Sequence, residues 1–185
     1  MQMISFLNEF IKHPRSMGAV APSSKKLARK MVDVINFNKA KTIVELGPGT
    51  GSFTKEIMKW KKKSTLLILI EINETFVRRL RKEYANDTSV HVIHGSAENI
   101  RKYLGELNLA ATDYVLSGLP FTSLPSGVSK RILQNVRNSL TPRGKFITFQ
   151  YSLVKKTFIQ KYFPSIRAKK VWLNLPPAYV LSCNK

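Results

Sequence analysis

Apolar positions along the chain fall into two alternating patterns. Short runs suited to β-strands cover Lys41 to Leu46, Thr65 to Ile70, Val90 to Ile93, Asp113 to Leu116 and Lys145 to Tyr151. Between them lie stretches with helical spacing: Phe53 to Trp60, Glu74 to Tyr84 with Phe76, Val77 and Leu80 as the inner face, Asn99 to Leu104, and Val128 to Leu140 with Ile132, Leu133 and Val136 turned inward. Thr141-Pro142-Arg143-Gly144 reads as a turn before the fifth strand. A helix over Lys155 to Tyr162 then leads to two closing strands, Val171 to Leu175 and Ala178 to Leu181, separated by Pro176-Pro177. The unbroken apolar run at Leu66 to Ile70 suits a strand covered on both faces. Repeated strand–helix units predict an α/β fold with a mostly parallel seven-stranded sheet, its two closing strands mutually antiparallel, and ligands bound beyond the strands' carboxyl ends.

The first twelve residues carry their own pattern. Met3, Ile4, Phe6, Leu7, Phe10 and Ile11 share one side of a helical wheel, opposite Gln2, Ser5, Asn8, Glu9 and Lys12, and Pro14 ends the stretch. This predicts an N-terminal amphipathic helix over residues 1–13. It either packs on the core or lies in a membrane interface with Lys12, His13 and Arg15 among headgroups. Residues 14–40 are expected to form a capping segment and a helix, with Pro22-Ser23-Ser24 as its N-cap, and 41–185 the core of a single domain.

Charge narrows the partners. In 185 residues, 31 Lys and Arg face 11 Asp and Glu, a formal net charge of +20, while 43% hydrophobic content supports a folded core. Such a surplus favours a polyanion, either anionic membrane phospholipid or RNA. The lone Cys183 excludes a disulfide framework, and three scattered histidines give no basis for a metal site. The apolar runs are far shorter than a bilayer-spanning helix, and charged residues interrupt the N-terminal segment where a signal peptide needs an apolar stretch. A cytoplasmic protein, peripheral on the inner face of the cell membrane, is expected.

The most specific chemistry sits in Glu45-Leu46-Gly47-Pro48-Gly49-Thr50-Gly51, between a predicted strand and a predicted helix. Its glycines permit a tight turn and close approach to a ligand. Glu71 ends the next strand, where a carboxylate can accept hydrogen bonds from both hydroxyls of a ribose. Alone it is equally a solvated strand end. Together the two features are similar to those of class I S-adenosylmethionine-dependent methyltransferases, which have a Rossmann-like fold. That likeness extends the cofactor site to Ile72, to Ser96 and Ala97 after the third strand, and to Ser117 after the fourth. Ser96 stands where the superfamily usually has an Asp near the adenine amino group.

Two relatives share this pattern. In rRNA adenine dimethylases an Asn-Leu-Pro-Tyr type motif follows strand four, its amide binding the target amine and its ring stacking on a flipped base. Here the motif reads Gly118-Leu119-Pro120-Phe121 and the amide is missing. Over nearly its whole length the chain resembles bacterial phospholipid N-methyltransferases of the rRNA-dimethylase-like type. Phe6-Leu7, Pro14 to Ser24, Glu45 to Gly51, Ser117 to Pro120 and Asn174-Leu175-Pro176-Pro177-Ala178 carry the resemblance. It implies stepwise N-methylation of phosphatidylethanolamine, with Gly18 to Ser24 capping the cofactor and Ser23 and Ser24 in contact with it. Gly118, Leu119, Pro120 and Tyr179 are the expected substrate-binding residues. Phe121 is a candidate for supporting the amine by cation–π contact, and Pro120-Phe121 also reads as a turn plus a core aromatic. Tyr151 and Tyr179 are candidate bases and equally structural aromatics. An RNA adenine methyltransferase and a non-catalytic lipid- or RNA-binding protein are the alternatives.

Overall fold

The computed structural model describes residues 25–154, 156–172 and 177–185. The expected helix over residues 1–13, the segment Gly18 to Ser24 with Ser23 and Ser24, and Asn174 to Pro176 lie outside them. Among the described residues seven strands form one sheet: β1 (Thr42–Leu46), β2 (Leu66–Glu71), β3 (Val90–His94), β4 (Thr112–Ser117), β5 (Leu140–Gln150), β6 (Ser165–Val171) and β7 (Ala178–Asn184). The helices are α1 (Lys25–Val32), α2 (Ser52–Trp60), α3 (Glu74–Glu83), α4 (Ile100–Glu106), α5 (Ser126–Ser139) and α6 (Lys156–Gln160), with a 3₁₀ turn at Ala97–Asn99.

The strand order is β3-β2-β1-β4-β5-β7-β6. Strands β1 to β5 pair in parallel, while β7 runs antiparallel to both β5 and β6. The expected mostly parallel sheet with antiparallel closing strands is therefore observed. Within each apolar run the two-residue period divides the side chains between two cores. Val44, Leu46, Ile68, Ile70, Val115 and Phe146 face α4, α5 and α6. Ile43, Leu67, Leu69, Leu116 and Ile147 face α1, α2 and Leu80 of α3.

Two elements differ from expectation. The turn at Thr141 to Gly144 is absorbed into β5 as a large bulge. Thr112 pairs with Leu140 and Tyr114 with Lys145, so two steps along β4 answer five along β5. The chain doubles back there, and a Cβ on Gly144 would stand 3.0 Å from Leu140 Cδ2 and 3.1 Å from Thr141 N. The sixth strand is Ser165–Val171, earlier in the chain than the expected Val171 to Leu175, of which residues 173–175 lie outside the described residues. It is an edge strand, largely exposed and carrying Arg167, Lys169 and Lys170, so it lacks the apolar alternation that marks a strand in sequence.

Phe146 shows how the α5–α6 side is held. It is fully buried, edge-on to Phe121 (ring centroids 5.9 Å apart) and stacked on Phe163 (5.3 Å). Truncating such a side chain removes its transfer free energy and leaves a cavity between two rings. Phe146→Ala is expected to lower unfolding free energy by about 3–5 kcal/mol, read from the urea midpoint.

Candidate functional site

The order reverses at β1: β2 and β3 lie on one side of it, β4 and the remaining strands on the other. Loops leaving adjacent carboxyl ends there must part in opposite directions, which opens a crevice. The cleft found there encloses roughly 700 Å³, part of it open to solvent. Its floor is Gly47, Gly49, Gly95 and Gly118, and its walls include Ile72, Phe76, Ala97, Leu119, Leu124 and Ile132, with Glu71 and Pro120 at its edge.

The floor depends on two glycines for different reasons. Gly47 has φ +67°, a left-handed conformation costly for other residues, and a Cβ there would stand 2.7 Å from Leu119 Cδ2. At Gly118 the constraint is space: an added Cβ would lie 2.8 Å from the Gly47 carbonyl oxygen. The loops are stitched to the strand ends by hydrogen bonds, Gly47 N–H donating to Ile70 O and Gly118 N–H to Leu46 O, both 2.9 Å.

Glu71 lines this cleft, but its carboxylate is not free as the sequence suggests. Oε1 accepts the backbone amides of Ile72 (2.9 Å) and Asn73 (2.8 Å), and Oε2 accepts the Gly49 amide (2.9 Å). With two acceptor positions per oxygen, Oε2 retains one. A single ribose hydroxyl fits directly, and a second requires an amide to yield. These residues otherwise suit S-adenosylmethionine. A Cβ added to Gly49 would meet no protein atom within 4 Å, so the loop faces free space that a ligand can fill. The apolar walls at Ile72, Phe76, Ala97 and Leu119 suit a flat purine, and Glu71 a sugar hydroxyl.

Gly47, Gly49, Glu71, Ile72, Ala97, Gly118, Leu119 and Pro120 are thus brought together as expected residues of one cleft. Others lie elsewhere. Gly51 caps α2 from a left-handed conformation. Ser96 caps the 3₁₀ turn, its hydroxyl accepting the Glu98 amide at 3.2 Å. Ser117 is buried, and its hydroxyl accepts the Leu119 amide at 3.2 Å, so it positions the 118–120 loop. Phe121 is fully buried against Phe146, and its ring is a core side chain not presented to the cleft. Tyr151 packs edge-on to Phe149, and Tyr179 lies beside Lys170 at the far end of the sheet, neither lining the cleft. Phe76, assigned by periodicity to the inner face of its helix, faces the cleft, leaving Val77 and Leu80 buried. Asn73 caps α3 by accepting the Thr75 and Phe76 amides (3.0 and 3.2 Å), which fixes the first turn beside the carboxyl end of β2.

Glu45, expected to touch the cofactor, lies beneath the loop and is fully buried. Thr54 Oγ1 donates to its Oε2 at 2.8 Å, and among the described residues Oε1 has no hydrogen-bond partner. Burial pushes this carboxyl up to about 8, opposed by the Thr54 hydroxyl and reinforced by the nearby Glu71 charge. The folded chain therefore keeps a proton that the unfolded chain loses from about pH 4.5 upward, and the associated stability drains away as pH rises toward 8. Glu45→Gln, which mimics the neutral acid, is expected to remove that decline, on the order of a few kcal/mol. Urea titrations of both proteins from pH 5 to about 8 check it, and equal slopes refute it.

Comparison with known proteins gives this cleft its context. The family model described as ribosomal RNA adenine dimethylase matches residues 22–162. The chain is 33% identical over 180 residues to an ornithine lipid N-methyltransferase of Singulisphaera acidiphila, covering 96% of this chain and 93% of that protein. It is 26% identical over 161 residues to the ribosomal RNA small subunit methyltransferase A of Ureaplasma parvum, where it covers 82% of itself but only 55% of the relative. A 16S rRNA methyltransferase from T. thermophilus, solved with AdoMet and guanosine, superposes with a TM-score of 0.66 at 19% identity, over 92% of this chain and 45% of that one. That likeness shows the fold. A glycine-floored cleft at the strand reversal and a family match across most of the chain lead to one conclusion: this protein belongs to the ribosomal RNA adenine dimethylase family and is an S-adenosylmethionine-dependent methyltransferase.

Proposed function

We propose that the methyl acceptor is the amine headgroup of a membrane lipid, phosphatidylethanolamine or an amine-bearing lipid of similar geometry, presented at the inner face of the cell membrane. The observation that carries this reading is the lack of space at position 118. In rRNA adenine dimethylases the corresponding side chain is an amide that grips the base. Here a Cβ alone would lie 2.8 Å from a backbone oxygen, so no such amide can be housed without moving the loop. Similarity to an ornithine lipid N-methyltransferase over 93% of its length supports the same reading. The RNA reading draws support from the family model and from the small subunit methyltransferase of Ureaplasma parvum.

S-adenosylmethionine, when bound, supplies a methyl group on a positively charged sulfur. The chain has to align the acceptor nitrogen in line with that carbon and strip water from it. Leu119, Pro120, Leu124 and Ile132 provide an apolar approach to the floor. An ammonium has no lone pair to attack with. Burial beside these side chains disfavours its charged form, so the proton leaves to solvent as the headgroup enters. Among the described residues lining the cleft, Glu71 is the one titratable side chain, and three amides hold it. The described walls thus contribute desolvation and placement.

Transfer of labelled methyl groups, measured separately on phosphatidylethanolamine, ornithine lipid and ribosomal RNA, tests the proposal. Label is expected in a lipid and not in RNA, and the converse overturns it. Gly118→Asn, which restores the residue type of the RNA enzymes, is expected to weaken S-adenosylhomocysteine binding at least about tenfold by displacing the Gly47 loop, as read by calorimetry. A variant that binds normally and methylates RNA would favour the RNA reading.

A further inference from the structure

Four large hydrophobic side chains are conspicuously exposed among the described residues: Trp60, Leu153, Val154 and Trp172. Three of them sit on segments that leave the same edge of the sheet. Gln150 at the end of β5, Tyr179 at the start of β7 and Lys170 near the end of β6 form one row across the sheet. Leu153 and Val154 follow β5 beyond that row, and Trp172 follows β6. Two strand spacings, about 10 Å, separate the two segments. The row lies on the carboxyl edge that also carries the cleft, since Ser117, which leads into Gly118, pairs with Thr148 of β5. Trp60 lies at the opposite edge, at the far end of a helix that starts beside the carboxyl end of β1.

We infer that Leu153, Val154 and Trp172, with Lys170, form a membrane-insertion surface that sets the mouth of the cleft against an anionic bilayer. Val154 is 80% and Trp172 70% exposed, so both keep large apolar surface in water. Lys170 Nζ stands 3.5 Å from the centre of the Trp172 ring and 5.6 Å from that of Tyr179. Trp, Tyr and Lys together are the composition of a headgroup layer, with rings at the boundary and an ammonium reaching phosphate. The charge is complementary to an anionic surface. Asp113 is the last acidic residue of the sequence, and twelve Lys and Arg follow it. Aliphatic Leu153 and Val154 gain from acyl chains and offer nothing to a nucleic-acid base, which selects bilayer over RNA. The inference rests on the lipid reading for the purpose of the contact, and its test separates the two.

The chain has two tryptophans, so each is isolated by one substitution. Full-length Trp60→Phe and Trp172→Phe proteins are mixed with vesicles of equal parts phosphatidylglycerol and phosphatidylcholine carrying brominated acyl chains. Trp172 fluorescence is expected to shift to the blue and be quenched, while Trp60 fluorescence stays unchanged. Val154→Asp with Trp172→Ala is expected to lower partition into the same vesicles about tenfold or more, with S-adenosylhomocysteine affinity unchanged. Absent quenching of Trp172, equal quenching of both rings, or unaltered partition of the double variant overturns the inference. So does a Trp172 response to single-stranded RNA and not to vesicles. Methyl transfer to phosphatidylethanolamine and ornithine lipid in detergent micelles is measured in parallel. Quenching without transfer to either lipid would sink the substrate reading and leave the docking surface standing; transfer without quenching would do the reverse.

Discussion

The structure depends on two peptide loops coming closer than side chains allow. The loop after β1 and the loop after β4 meet where the strand order reverses, with Gly47 and Gly118 almost in backbone contact. Amide donation to Leu46 O and Ile70 O holds both loops down on the strand ends. The cleft is the gap that the described residues leave above them. Its walls are then supplied by whichever side chains the flanking helices bring to the carboxyl edge.

Charge is arranged around that gap on two scales. Inside, two carboxyl groups from neighbouring strands end close together, and burial makes them unequal. Glu71 stays at the edge of the cleft, held by three amide dipoles, while Glu45 is buried beneath the loop with its carboxyl pushed up to about 8. Burial keeps the proton on the deeper one, and the nearby Glu71 charge reinforces it. Outside, the acidic residues all lie in the part of the sequence up to Asp113, and the remainder is purely basic. At the sheet's far end, Lys169 and Lys170 of β6 bring positive charge towards the edge that holds the cleft.

The glycine loop and Glu71 were legible because each sits at the end of an apolar run, and a strand end followed by a helix can face only the carboxyl edge. Phe76 and Ile132 were harder. Periodicity assigns both to the inner faces of their helices, but a helix that follows a parallel strand starts at the carboxyl edge, so its first two turns already look into the cleft. Applied to residues 74–77, that rule would have found Phe76. Phe121 went the other way: sequence places it after the turn, and only the packing of Phe146 and Phe163 shows its ring pointing down into the core. The edge strand β6 was missed because an edge must be polar to resist pairing with another chain, which erases the alternation by which strands are recognised.

A positively charged protein is poorly suited to attracting a free ammonium from solution, since long-range fields repel it. On the lipid reading this objection turns into an explanation. The field acts on the anionic surface and not on the individual headgroup, and once the protein is on the bilayer every amine-bearing lipid is confined to the same thin layer as the cleft mouth. Encounter becomes two-dimensional, with an effective concentration far above that of a dilute solute. The headgroup then leaves the polar interface for walls of Leu119, Pro120, Leu124 and Ile132, where its charged form is disfavoured. Attraction is thereby assigned to the surface and deprotonation to the cleft. A chain with so basic an exterior can in this way act on an amine that its long-range field would repel from free solution.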